Sequence, residues 1–261
     1  MPQKLVLITG GAGRIATALR PFLRPTYRLR LVDLKPLGEP ATEGEEFVQA
    51  DVSDLAAMEQ AAQDVQAVIH LAGNPSTSGT WDEMRGPNIE GTYCVYEAAR
   101  RAGATKVILA SSNHVMGFYY LEGKWPIRTD QPIRPDSIYG VSKAFGEALA
   151  RYYSDTFDMS MICLRIGWFT PREPTVRSLK SLWISARDLA QEIGLCLESP
   201  EKFAIYNGTS NNSQAHWDLQ TARDELGYTP VDDVSKLGLP ADGDTDQPYC
   251  EPPAGVLRGL G

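Results

Sequence analysis

Histidine and cysteine are scarce in this chain, with three histidines and four cysteines among 261 residues. Cys94, Cys163, Cys196 and Cys250 stand far apart and form no C-x-x-C pair. Neither a zinc site nor a disulfide framework is expected from them, and so few histidines leave no basis for a His-rich metal centre. No apolar run reaches the roughly 18 residues that a membrane-spanning helix needs. The run Leu5-Val6-Leu7-Ile8 follows a single lysine and ends at Thr9-Gly10-Gly11, so it reads as a strand rather than a signal peptide. Positive charge is in deficit: 25 Lys and Arg face 33 Asp and Glu, a formal net charge of −8. That balance argues against nucleic acid or an anionic membrane as the main partner. A reducing cytoplasm is the expected location.

What is present is an alternation of short apolar runs and helical segments. Lys4-Leu5-Val6-Leu7-Ile8-Thr9 is a buried parallel strand by pattern. Gly10-Gly11-Ala12-Gly13-Arg14-Ile15-Ala16 follows at once, then Thr17 to Leu23 at helical spacing. A strand, a glycine-rich turn and a helix start together make a phosphate cradle, because glycine lets the backbone approach a pyrophosphate that sits on the helix N-terminus. The spacing is Gly10, Gly13, Ala16 rather than G-x-G-x-x-G. Arg28 to Asp33 is the second strand. Asp33 stands 23 residues after Gly10, near the ~20 expected of the carboxylate that accepts the ribose hydroxyls. A carboxylate there repels a 2′-phosphate, so NAD is favoured over NADP; a turn Asp capping the strand is the alternative, and Lys35 nearby would partly offset the repulsion.

Further strands are expected at Phe47–Ala50, Ala67–Gly73, Lys106–Ala110 and Met159–Arg165. Helices are expected at Asp54–Ala62, at Trp81–Ala102 with an interruption at Gly86-Pro87, and at Ser137–Phe157. This alternation predicts an α/β fold, a Rossmann-type doubly wound parallel sheet with a small C-terminal substrate-binding region. The expected division is a dinucleotide-binding core over 1–167, a substrate-binding region over 168–236 and a weakly ordered tail over 237–261. Ligands bind such sheets beyond the carboxyl ends of the strands. The distinctive residues cluster there: the glycine turn, Asp33, Asp51, Gly73, Ser111 to His114, and Gly167.

Tyr139 and Lys143 lie four residues apart in the Ser137–Phe157 helix, on one face and roughly 6 Å apart. An ammonium beside a phenol favours the phenolate, so the tyrosine pKa falls from its reference of about 10. Such a tyrosine is a general base near neutral pH. At this spacing a surface tyrosine and a solvated lysine are common too; the cradle at the start of the chain tips the reading toward chemistry.

Taken together, Thr9-Gly10-Gly11-Ala12-Gly13-Arg14-Ile15-Ala16, Asp51-Val52, Leu71-Ala72-Gly73, Asn88, Ser111-Ser112 and Tyr139-Gly140-Val141-Ser142-Lys143 resemble the extended short-chain dehydrogenase/reductases. The resemblance covers residues 4 to about 230. Within that superfamily the chain is similar to the uronate dehydrogenases. Ala110-Ser111-Ser112-Asn113-His114, Arg134 to Lys143, Leu164-Arg165-Ile166-Gly167 and Thr170-Pro171 carry that likeness. Small NAD-dependent sugar and sugar-phosphate dehydrogenases share much of the pattern.

The resemblance implies NAD-dependent oxidation of a sugar at C1, with a hexuronate giving its aldarolactone. It implies Tyr139 as base, Lys143 as the group that lowers its pKa and holds the nicotinamide ribose, and Ser112 as the group that orients the hydroxyl. Asn113, His114 and Ser76 would contact the sugar, and Arg177, with Arg172 as a competitor, would hold a carboxylate or a phosphate. Gly10, Gly13, Arg14, Ile15, Asp33, Asp51, Val52, Leu71, Ala72 and Gly73 would hold the cofactor. Asn88 has either a direct or a structural part. The family has Ser where this chain has Trp168, and an indole there would narrow the pocket or stack on a sugar face. Alternative functions are oxidation of a neutral aldose or sugar phosphate, a nucleotide-sugar epimerase or dehydratase, and a non-catalytic NAD-sensing module. A homodimer or higher homo-oligomer is implied by the resemblance alone.

Overall fold

In the computed structural model, which describes residues 3–170 and 181–237, strands and helices alternate along the chain. They are β1 (Leu5–Thr9), α1 (Arg14–Leu23), β2 (Arg28–Asp33), β3 (Glu45–Gln49), α2 (Leu55–Ala61), β4 (Ala67–His70), α3 (Trp81–Met84), α4 (Gly91–Arg101), β5 (Lys106–Ser112), α5 (Gly117–Leu121), α6 (Ile138–Phe157), β6 (Ser160–Ile166), β7 (Trp168–Phe169), β8 (Trp183–Ile184), α7 (Ala186–Glu198), β9 (Phe203–Gly208) and α8 (Gln220–Leu226). Seven strands form one sheet in the order β3-β2-β1-β4-β5-β6-β9, and every neighbouring pair is parallel. The order reverses between β1 and β4, and ligands bind at such a switch point.

Every residue of β1, β5 and β6 is buried, because helices cover both faces of the sheet. The two-residue period of a strand divides β1 between two cores. Val6 and Ile8 pack with Leu19 of α1 and with Leu189 and Ile193 of α7. Leu5 and Leu7 pack on the other face with Val95 and Ala99 of α4 and Tyr153 of α6. Among the described residues no helix is long and apolar enough to cross a membrane, and no group of His, Cys, Asp and Glu is arranged to hold a metal ion.

Three points relate this fold to the expectations. The interruption expected at Gly86-Pro87 in the helix over 81–102 is present, as a π-helical turn at Arg85–Glu90 between α3 and α4. Pro87 has no N–H to donate, and the wide turn absorbs the extra residue. The sheet also does not stop at its sixth strand. Within 168–236, β9 joins the core sheet as its seventh strand, and α7 packs on that sheet. Last, Arg172, Arg177 and the tail beyond 237 fall outside the described residues.

The edge strand β3 is tied to α1 by a covered ion pair. Arg20 donates from Nε and Nη2 to the two oxygens of Glu45, at 2.9 and 2.7 Å, and to the carbonyls of Glu39 and Pro40. The Arg20 hydrogen bonds hold the Glu45 carboxyl down from 4.5 to about 2. A depressed carboxyl pKa contributes stability above the unfolded value and loses it as the pH falls through the folded one. Glu45→Gln should therefore lower the unfolding free energy by about 3 kcal/mol at neutral pH, since it leaves a buried guanidinium without its counter-charge. Urea titrations should show the gap between wild type and variant closing as the pH drops from 4.5 toward 2.

Candidate active site

The glycine turn sits at the carboxyl end of β1. Gly10 has φ +71°, and a Cβ there would lie 2.8 Å from the amide nitrogen of Ala72. The turn and the end of β4 can approach this closely only without a side chain. Gly13 is the N-cap of α1 and supplies no side-chain cap, so the first-turn N–H groups of a ten-residue helix are left for a ligand. Asp33 closes β2. Its carboxylate accepts N–H bonds from Ala12 at 3.0 Å and Lys35 at 2.9 Å, which fix it beside the turn. A cleft is lined here by Gly10, Gly13, Asp33, Asp51, Val52, Leu71, Ala72 and Gly73. Uncapped amides, a side-chain-free cradle and a fixed carboxylate suit a pyrophosphate flanked by a ribose, and so they fit a dinucleotide such as NAD.

A second cavity adjoins the first and shares Leu71 and Gly73 with it. Its walls include Arg14, Ile15, Ser112, Asn113, His114, Tyr139 and Lys143. Ser137 caps α6 by accepting the Gly140 N–H at 3.1 Å. The helix start then packs against the turn after β5, where a Cβ on Gly140 would stand 2.4 Å from the carbonyl oxygen of His114. This close approach brings the half-buried Tyr139 ring edge-on to the His114 ring, with centroids 5.7 Å apart. Nζ of Lys143 lies 5.7 Å from the Tyr139 ring centre. Ser112 accepts the His114 N–H at 3.2 Å, which aims its hydroxyl within the same turn. Asp136 is 3.0 Å from Nδ1 of His114. A carboxylate can only accept, so Nδ1 carries a proton and donates it to Asp136.

Lys143 is buried, and loss of hydration lowers its pKa from 10.5 to about 8. His70, fully buried at the end of β4, is held down to about 3 by burial and by the Lys143 charge. Its bonds fix its tautomer. Thr92 donates its one hydroxyl proton to the Asn88 carbonyl at 2.6 Å. The 3.2 Å contact between His70 Nε2 and Thr92 Oγ1 is therefore N–H donation by the ring. Nδ1 then accepts from Thr9 at 2.7 Å.

Most residues singled out in the sequence meet in these two cavities; Ser76 and Asn88 do not line either. Ser76 lies in the loop after β4, where its N–H donates to Asn74 Oδ1 at 3.0 Å. Asn88 is a clamp: its Oδ1 accepts the Asn74 N–H at 2.7 Å, and its Nδ2 donates to the Asn74 carbonyl at 3.1 Å and to Ser142 Oγ at 2.9 Å. Trp168 does not narrow the cavity. Its indole packs on the cluster of Val115, Met116, Ile127, Leu182 and Trp217, and its neighbour Phe169 lines the cavity instead. The alternation of β7 sends the two rings to opposite sides, a signal available in the sequence at Trp168-Phe169. Pro75 and Ile166 also line the cavity, and no residue type marked them in advance.

The fold and the Tyr139–Lys143 pair together define a dinucleotide-binding protein of the short-chain dehydrogenase/reductase type. The sequence profile of the NAD dependent epimerase/dehydratase family matches residues 6–207, and the chain belongs to that family. It is similar to the NAD-dependent glucose-6-phosphate dehydrogenase of Haloferax volcanii, at 35% identity over 89% of this chain and 95% of that one. It is similar to the uronate dehydrogenase of Pseudomonas putida, at 36% identity over 99% of this chain and 95% of that one. Among solved structures it resembles a mutant uronate dehydrogenase from Agrobacterium tumefaciens complexed with NAD. That match has a TM-score of 0.82 and 36% identity, covering 90% of this chain and 87% of that one.

Burial of Lys143 has a stability consequence of definite sign. Between pH 8 and 10.5 the unfolded lysine binds more protons than the folded one, so the native state gains stability as the pH rises through that window. Lys143→Met should raise the unfolding free energy on the order of 3 kcal/mol at neutral pH. Denaturation at several pH values should show this advantage shrinking between pH 8 and 10.5.

Proposed function

We propose that the protein oxidises a hexuronate at C1 to its aldarolactone, with NAD as cofactor. The observation that carries this reading is the meeting of Tyr139, Lys143 and Ser112 in a cavity that opens onto the dinucleotide cleft at Leu71 and Gly73. The likeness to uronate dehydrogenases supports the choice of sugar.

NAD, when bound, supplies the acceptor for the hydride that leaves C1. Tyr139, as the phenolate, takes the proton of the C1 hydroxyl while the C1–O bond becomes a carbonyl. The ammonium of Lys143 favours that phenolate in a site where burial strengthens charge interactions. Ser112 orients the reacting hydroxyl by hydrogen bonding. Asn113 and His114 contact other sugar hydroxyls. Ile15, Pro75 and Phe169 form an apolar wall that excludes water from the reacting carbon. Arg14, at the start of α1 and on the wall of the inner cavity, would meet the pyrophosphate. Arg177 would hold the carboxylate of the substrate, and Ser76 would contact another sugar hydroxyl. A neutral aldose or a sugar phosphate is the second reading, favoured by the equally similar glucose-6-phosphate dehydrogenase.

Initial rates of NADH formation with glucuronate, galacturonate, glucose, arabinose and glucose 6-phosphate should show turnover with the two uronates and little with the rest. Arg177→Ala should raise KM for a uronate about tenfold or more and leave kcat/KM for any slow neutral sugar unchanged. Turnover confined to glucose 6-phosphate or to a neutral sugar would reject the hexuronate.

The reading includes a homo-oligomer in the cytoplasm. Tyr93 on α4 and Val141, Tyr152 and Phe157 on α6 expose apolar side chains on neighbouring helices, the kind of face that a second copy covers. Buried free thiols at Cys94, Cys163 and Cys196 suit a reducing compartment. Light scattering should give a multiple of the chain mass, and Val141→Glu/Tyr152→Glu should give the monomer.

A further inference from the structure

A buried ion pair lies behind the cavity, where the reaction just proposed has no use for charge. Glu147 of α6 and Arg165 of β6 are almost fully covered, with side-chain exposures of 5% and 1%. Arg165 grips the carboxylate bidentately with one edge of its guanidinium, from Nε at 2.9 Å and from Nη2 at 2.8 Å. Ser111 Oγ donates to the same carboxylate at 2.6 Å. Nη1 of Arg165 reaches the Thr129 carbonyl at 3.3 Å, in the segment that leads to Asp136 and so to His114. Ser111 and Arg165 are register partners on adjacent strands, and so are the residues after them, Ser112 and Ile166.

Stability alone is a poor reason for such a group. Desolvation of two charges offsets most of their attraction, and well-packed apolar residues in their place are often neutral or stabilising. What the group supplies is position. Tyr139, Lys143 and Glu147 stand at i, i+4 and i+8 on one face of α6, with Glu147 about 12 Å along the helix from Tyr139. One carboxylate thus joins the helix that carries the base to the strand end that carries Ser112 and to the strand that leads into Gly167. Sliding or rotating α6 against β5 and β6 must break this group first.

We propose that Glu147, Arg165 and Ser111 are positioning residues that fix the Tyr139–Lys143 face of α6 against Ser112. The proposal rests on the roles given above to Tyr139 and Ser112. It predicts a loss mainly in turnover, because the Gly10–Gly13 turn and Asp33, which hold most of the cofactor, lie on other elements and only the Lys143 contact to the nicotinamide ribose lies on α6. A misplacement of about 1 Å at a reacting centre lowers the rate about 100-fold.

The test compares wild type with Glu147→Leu/Arg165→Met, which removes both charges at similar volume, and with Ser111→Ala, which leaves the ion pair whole. The double variant should melt within a few degrees of wild type and keep KM for NAD within about twofold. Its kcat should fall about 10- to 100-fold. In the cofactor-free protein, the pH dependence of Lys143 acylation, read by mass spectrometry, should move from about 8 toward 10.5 as the loosened helix admits water. Ser111→Ala should lower kcat several-fold with the same KM, and it decides the matter if the double variant does not fold. Wild-type kcat and an unmoved Lys143 titration in the folded variants would overturn the proposal. Tyr139→Phe, assayed alongside, separates the two levels: full turnover in that variant would reject the assigned base itself, whereas its loss together with a fully active double variant would reject only the positioning role.

Discussion

A cation held out of water beside a phenol is the constraint around which this molecule is arranged. An ammonium resists burial, and the lowered pKa of Lys143 records that resistance. The surroundings are built to tolerate it. His70, which feels the Lys143 charge from the end of β4, stays neutral, and its two ring nitrogens are occupied by Thr9 and Thr92. Burial costs stability and returns a strong local field at Tyr139, a usual exchange at functional sites.

The parallel sheet makes that arrangement possible. Strands β1, β4, β5 and β6 end on one edge, and each end delivers something different. β1 gives the cradle, β4 gives His70 and the approach to Gly73, β5 gives Ser112 and His114, and β6 gives Ile166 and Gly167. The glycine turn brings helix amides to one end of the trough, and α6 brings Tyr139 and Lys143 to the other. The two cavities meet at Leu71 and Gly73, so a dinucleotide and a sugar have separate places joined at one point. Behind them, Asn88 ties the loop after β4 to α6 through Ser142.

Much of this was legible in the sequence, for identifiable reasons. Strands buried on both faces read as unbroken apolar runs, and the glycine turn and Asp33 keep fixed distances from a strand end. Tyr139 and Lys143 were found by helical spacing. What escaped depended on three-dimensional packing. β9 and α7 carry no motif, so the seventh strand went unseen. The break at Gly86-Pro87 was legible, but its π-helical form at Arg85–Glu90 was not. Trp168 drew attention by its size, yet strand alternation points Phe169, not Trp168, at the cavity. His70 was read as one more strand residue, since its importance comes from the distant Thr9, Thr92 and Lys143. Glu147 and Arg165 sit inside an ordinary helix and an ordinary strand, and only the fold brings them together.

The most direct test of the central claim follows a single hydrogen. A hexuronate carrying deuterium at C1 is oxidised with unlabelled NAD, and the reduced cofactor is weighed by mass spectrometry. Direct transfer from C1 predicts one deuterium in every molecule of reduced cofactor and none released to water. Unlabelled reduced cofactor, with the deuterium kept in the sugar or lost to solvent, would contradict oxidation at C1 and require another reacting carbon.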